Sequence, residues 1–100
     1  MRLTEYEIEN IKQLARLHFG DDVQVFLFGS RIDENKRGGD IDLFIRNRKG
    51  KKPDVLSKVN FITDLIFKIG EQKIDVVLDN PARSGSGFLE TIYKTGVQLC

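Results

Sequence analysis

The chain has 100 residues, 40% of them hydrophobic, with 16 lysines and arginines against 15 acids. That length suits a single domain over residues 1–100, able to bury roughly 60–70% of the surface its unfolded chain exposes. Ordinary apolar content and balanced charge exclude wholesale disorder and a general nucleic-acid coat.

Cys100 is the only cysteine, so no disulfide framework and no metal–thiolate spacing exists, and a reducing compartment follows. The opening Met-Arg-Leu-Thr-Glu-Tyr-Glu has no apolar leader. No run approaches the ~18 apolar residues of a bilayer span. A small cytoplasmic domain without membrane contact is the expectation.

Thr4 and Glu7 stand at capping-box spacing, with Leu3 and Ile8 placed for a hydrophobic staple. Ile8, Ile11, Leu14, Ala15 and His18 recur at helical spacing, and Gly20 is a suitable stop. His18, the one histidine, reads as a packed or dipole-facing residue and is given no chemistry. Val23 to Phe28 is apolar on both faces apart from Gln24, the pattern of an interior strand with layers on each side. Gly29 and Ser30 end it, and Ser30 can cap a short helical turn from Arg31 to Glu34. Residues 33–39 form a polar return to a second strand from about Asp40 to Arg46.

Arg46 to Lys52 holds five basic residues in seven positions. It is either a solvated loop or a patch for phosphate or an acidic partner; it lacks the interleaved aromatics that stack bases. Pro53 suits the first turn of a long helix. Val55, Leu56, Val59, Ile62, Leu65, Ile66 and Ile69 form its stripe, which Phe61 and Phe67 widen before Gly70 ends it. Such a face packs across the sheet, with part of it available to a partner. Gln72 to Leu78 is a third strand, with Ile74, Val76 and Leu78 on one face and Asp75 and Val77 on the other. Asp79 to Ser86 is a loop, and Phe88 to Lys94 a short helix closed by Gly96 before a Val97-Gln98-Leu99 tail.

Asp40 and Asp42 share one face of an otherwise apolar strand, roughly 6.5–7 Å apart along the chain. Burying each costs several kcal/mol, and neighbouring like charges resist ionising together. A divalent cation removes both difficulties. If the helix from Pro53 to Ile69 joins the second and third strands as a crossover, adjacent strands ~4.8 Å apart bring Asp75 beside the pair. Three carboxylates suit two cations bridged at roughly 3.5–4 Å. All-oxygen ligands point to Mg²⁺, or Mn²⁺, rather than zinc. Because Mg²⁺ completes its shell with water and substrate phosphates, a nucleoside triphosphate is implied. Glycine at 29 lets a backbone approach a bulky anion, and the Ser30 hydroxyl can hold phosphate oxygens. Arg31 either reaches those phosphates or pairs with Asp33 or Glu34. No Walker phosphate loop and no Gly-x-Gly-x-x-Gly after a strand occurs.

The order Gly29-Ser30, Asp40-Ile41-Asp42 and a later-strand Asp75 resembles the polymerase-β-like nucleotidyltransferase superfamily. It looks most like the minimal, single-domain MNT group, whose members pair with HEPN-domain toxins. The resemblance runs from the leading helix to Gly96 and Val97. It departs from the group after Arg31, where Ile32-Asp33-Glu34 replaces a second arginine and glycine, and in a slightly shorter spacing from Ser30 to Asp40.

The resemblance implies a small α+β or α/β domain with a mixed sheet of three or slightly more strands, in the order α-β-(short α)-β-α-β-α. It further implies that Asp40, Asp42 and Asp75 hold two Mg²⁺ ions, with Asp75 helping to activate the attacking hydroxyl. Gly29, Ser30 and Arg31 fall on the nucleotide-binding turn. The implied reaction is in-line attack on an α-phosphate with transfer of a nucleoside monophosphate, AMP from ATP, and release of pyrophosphate. The acceptor would be a hydroxyl, a tyrosine of a HEPN-type toxin, making this chain an antitoxin in a homo- or hetero-oligomer. Nucleic acid is not the expected partner. The other readings are a non-catalytic binding module that neutralises the partner by contact, and an aminoglycoside-type small-molecule transferase. The last of these generally carries an extra acceptor domain, for which 100 residues leave little room.

Overall fold

A computed structural model describes residues 3–29, 40–47, 53–79 and 87–100. Helix α1 (Glu5–Phe19) leads into strand β1 (Val23–Phe28), then come β2 (Ile41–Asn47), α2 (Val55–Ile69), β3 (Ile74–Leu78), α3 (Gly87–Thr95) and β4 (Val97–Gln98). The sheet order is β3-β2-β1-β4. β1 is antiparallel to both β2 and β4, whereas β2 and β3 are parallel and joined through α2, so the sheet is mixed.

Local chemistry sets the helix starts. The Thr4 hydroxyl accepts from the Glu7 amide at 3.1 Å and the Glu7 carboxylate accepts from the Thr4 amide at 2.9 Å, completing the capping box. At α2 the N-cap is Asp54, which accepts from the Ser57 amide at 2.7 Å. Pro53 therefore precedes the cap instead of occupying the first turn. A carboxylate at the N-cap answers both the free amides and the positive end of the helix dipole.

The two long helices cover one face of the sheet. Val25 and Leu27 of β1, Ile41, Leu43 and Ile45 of β2, and Ile74 and Val76 of β3 meet Ile11, Leu14 and Ala15 of α1 and Phe61 and Leu65 of α2 in one core. Phe19 packs on Phe61 with ring centroids 5.5 Å apart. Between the helices, His18 Nε2 lies 2.7 Å from Asp64 Oδ2, and the Tyr6 hydroxyl donates to the Lys68 carbonyl at 3.0 Å. The opposite face carries a smaller cluster in which Phe26 and Phe44 pack under Ile92 of α3. The alternation of strand side chains thus divides β1 and β2 between two layers, as their double-sided apolar pattern requires.

Several boundaries differ from the sequence reading: the second strand runs Ile41–Asn47 and so leaves Asp40 just outside it, and the last helix runs Gly87–Thr95. β3 begins at Ile74 rather than Gln72, whose side chain instead donates to Glu7 of α1 at 3.0 Å. The tail after α3 is an edge strand: Phe26 pairs with Gln98 and Leu27 with Val97. Gly96 permits this, because a side chain there would collide with the carbonyl oxygens of Ile92 and Leu27. The short helical turn read from Arg31 to Glu34 lies outside the described residues, as do Arg48 to Lys52 and most of the loop after Asp79. Arg46, first of the basic run, is committed to Tyr93: its guanidinium lies 5.3 Å from the ring centroid and donates to the hydroxyl. No helix among the described residues is long and apolar enough to cross a membrane.

The α2 stripe is only half used. Phe61 and Leu65 are fully buried, whereas Val55, Leu56 and Phe67 are at least 70% exposed. Phe61→Ala is accordingly expected to lower unfolding free energy by about 3–5 kcal/mol. Phe67→Ser should change it by less than about 0.5 kcal/mol. Urea unfolding of the two variants checks the contrast.

Candidate active site

Parallel pairing of β2 with β3 puts Asp42 directly beside Asp75 in register. Asp40 sits one residue before β2, where the Ile41 amide donates to the Lys73 carbonyl at 3.0 Å and ties the two strand entries together. One carboxylate oxygen from each of Asp40, Asp42 and Asp75 lies within 4.8 Å of the others. Asp40 and Asp42 are half-buried and Asp75 is exposed, so the cluster opens to solvent at one edge.

The chain's turn out of β1 is built around this group. Phe28 pairs with Asp42, so Gly29 stands next to the Asp42 carboxylate. Gly29 has φ +79°, and a Cβ there would fall on Asp42 Oδ2, far inside van der Waals contact. Glycine is thus required twice, for the left-handed backbone and for the carboxylate that fills the space of the missing side chain. Ser30 and Arg31, the other residues of the predicted nucleotide turn, lie outside the described residues.

Crowding has an electrostatic cost. Burial pushes the Asp42 carboxyl above its ordinary value, the charges of Asp75 and Asp40 push it further, and a hydrogen bond with Asp75 adds to the shift; only Lys73 opposes it. Lys73 Nζ lies 3.5 Å from Asp40 Oδ2. Sequence reasoning missed this lysine, although a cation two residues before Asp75 was its signal. An all-carboxylate donor set with no nitrogen or sulfur fits a hard divalent cation. Its spread is close to the roughly 3–4 Å between ligand oxygens around one Mg²⁺. The residues present therefore fit a divalent metal.

A mixed sheet under two helices, with three acids gathered beside a glycine turn, is the layout of a nucleotidyl-transferring domain. The family model for the nucleotidyltransferase domain matches residues 8–97. The chain belongs to that family, and a nucleoside triphosphate is the substrate class this membership carries. No curated protein matches it.

Two outcomes follow from this geometry. Gly29→Ala is expected to cost about 1–3 kcal/mol in urea unfolding, because alanine is strained at this φ and must displace Asp42. The second concerns pH. With its folded pKa above 3.8, Asp42 holds its proton more tightly in the folded than in the unfolded chain. Ionising it therefore costs stability as pH rises through the folded value; below the unfolded value both states are protonated and the cost vanishes. In chelator-treated buffer, Asp42→Asn should melt higher than the parent at neutral pH, the gap closing as pH falls toward 3.8. A variant that melts lower at neutral pH contradicts the crowding.

Proposed function

We propose that residues 1–100 form one domain acting as a Mg²⁺-dependent nucleotidyltransferase of the MNT type, transferring AMP from ATP to a hydroxyl of a HEPN-type toxin. The observation that carries this reading is the convergence of Asp40, Asp42 and Asp75 within 4.8 Å beside Gly29. The exposed apolar face of α2, with Val55, Leu56, Val59 and Phe67 uncovered, supports a protein as the acceptor and a hetero-oligomer as the working state. A cytoplasmic setting, where ATP and Mg²⁺ are supplied, goes with this reading.

In this mechanism Asp40 and Asp42, with Asp75, would hold the divalent ions. When bound, these ions, two Mg²⁺ or Mn²⁺, neutralise triphosphate charge and ease ionisation of the attacking hydroxyl. Gly29, Ser30 and Arg31 hold the triphosphate. Asp75, the exposed member of the three, is open to the incoming acceptor and takes up the hydroxyl proton. The acceptor oxygen bonds to the α-phosphorus as the bond to the bridging oxygen breaks, and that oxygen leaves with its electron pair as pyrophosphate. Fixing both oxygens around the phosphorus stabilises the charge that develops between them.

Incubation of the chain with a HEPN-type partner, ATP and Mg²⁺ should add one or more AMP masses to the partner by intact-mass spectrometry. Asp40→Asn with Asp42→Asn should reduce that addition by at least about 10²-fold. Neutralisation of the toxin that survives the double change intact contradicts catalysis and leaves a binding module.

A further inference from the structure

We propose that Lys73 is the resident counter-ion of the acid cluster, displaced when a divalent metal binds, so that this lysine sets the affinity of the site for metal. The inference rests on the reading of Asp40, Asp42 and Asp75 as metal ligands.

Among the described residues, Lys73 is the cation paired with the triad, its Nζ 3.5 Å from Asp40 Oδ2. Its backbone is fixed there, because the Lys73 carbonyl accepts from the Ile41 amide between Asp40 and Asp42. Its side chain is not fixed: it is 73% exposed and free to swing into water. An ion pair at such a surface contributes little to stability, so its loss should not disturb the fold.

The ammonium stands against Asp40, one of the three acids a divalent ion would use, and two cations there repel each other. With Lys73 in place, three ionised acids present a net charge of about −2 to an arriving cation; without it they present about −3. Lys73 thus relieves the repulsion among the three acids and, for the same reason, weakens their hold on metal. A lysine suits this role because its charge is a point on a flexible stem that binds carboxylate without bidentate geometry.

Mn²⁺ binding to the full chain at low ionic strength, followed by the electron paramagnetic resonance signal of free Mn²⁺, tests this. Lys73→Gln should tighten Mn²⁺ binding about three- to tenfold, the range expected for one unit charge near a screened divalent ion. Lys73→Arg should keep both the parental affinity and the parental metal-free melting temperature, and metal-free Lys73→Gln should still unfold cooperatively, melting no higher than the parent. Equal or weaker binding by Lys73→Gln overturns the inference about the lysine alone. A parent chain that shows no saturable Mn²⁺ binding beyond that of Asp40→Asn/Asp42→Asn removes the metal site itself, and this inference with it.

Discussion

The feature on which the site depends is the enforced proximity of three like charges. Parallel register sets Asp42 beside Asp75, and the link from Ile41 to Lys73 holds Asp40 at the same strand entry. Burial first, and then the neighbouring charges of Asp75 and Asp40, raise the Asp42 carboxyl above its ordinary value. A fold can keep such an arrangement only if packing elsewhere overrides the repulsion. Residues flanking the acids supply that packing: Ile41 and Leu43 on β2 are fully buried, as are Phe61 and Leu65 above them. The acids are carried by neighbours that cannot move.

Stability and chemistry are therefore divided between the two periodicities of one strand. Along β2, Ile41, Leu43 and Ile45 enter the core beneath α1 and α2, while Asp42 and Phe44 face the other side. Phe44 is then covered by α3, and Asp42 lies where that cover ends, next to Gly29. Gly29 matters in this division because any larger residue would take the room the carboxylate occupies.

Much of this was legible in the residues. The capping box at Thr4, the double-sided apolar run of β1 and the acid-bearing apolar run of β2 are local patterns, and each corresponds to an observed element, with Asp42 inside β2 and Asp40 just before it. The approach of Asp75 required one further inference, that α2 joins neighbouring parallel strands, and the register bears it out. Other features depend on contacts between distant segments and leave no local mark. Val97 and Gln98 become an edge strand only because β1 offers free backbone groups. Leu56 and Phe67 look like core in a helical projection, yet α1 and the sheet cover only the side that carries Phe61 and Leu65. The second reason for Gly29, the fit against Asp42, is likewise visible only once two strands are paired.

The central claim is that Asp40, Asp42 and Asp75 jointly bind divalent cations, and it is tested most directly by anomalous diffraction from crystals grown with Mn²⁺ and a non-hydrolysable ATP analogue. The account predicts at least one anomalous peak bounded by all three carboxylates, about 2 Å from their oxygens, with Lys73 turned away from Asp40. Full occupancy of the nucleotide with no peak at the triad, and Lys73 still paired with Asp40, would contradict it.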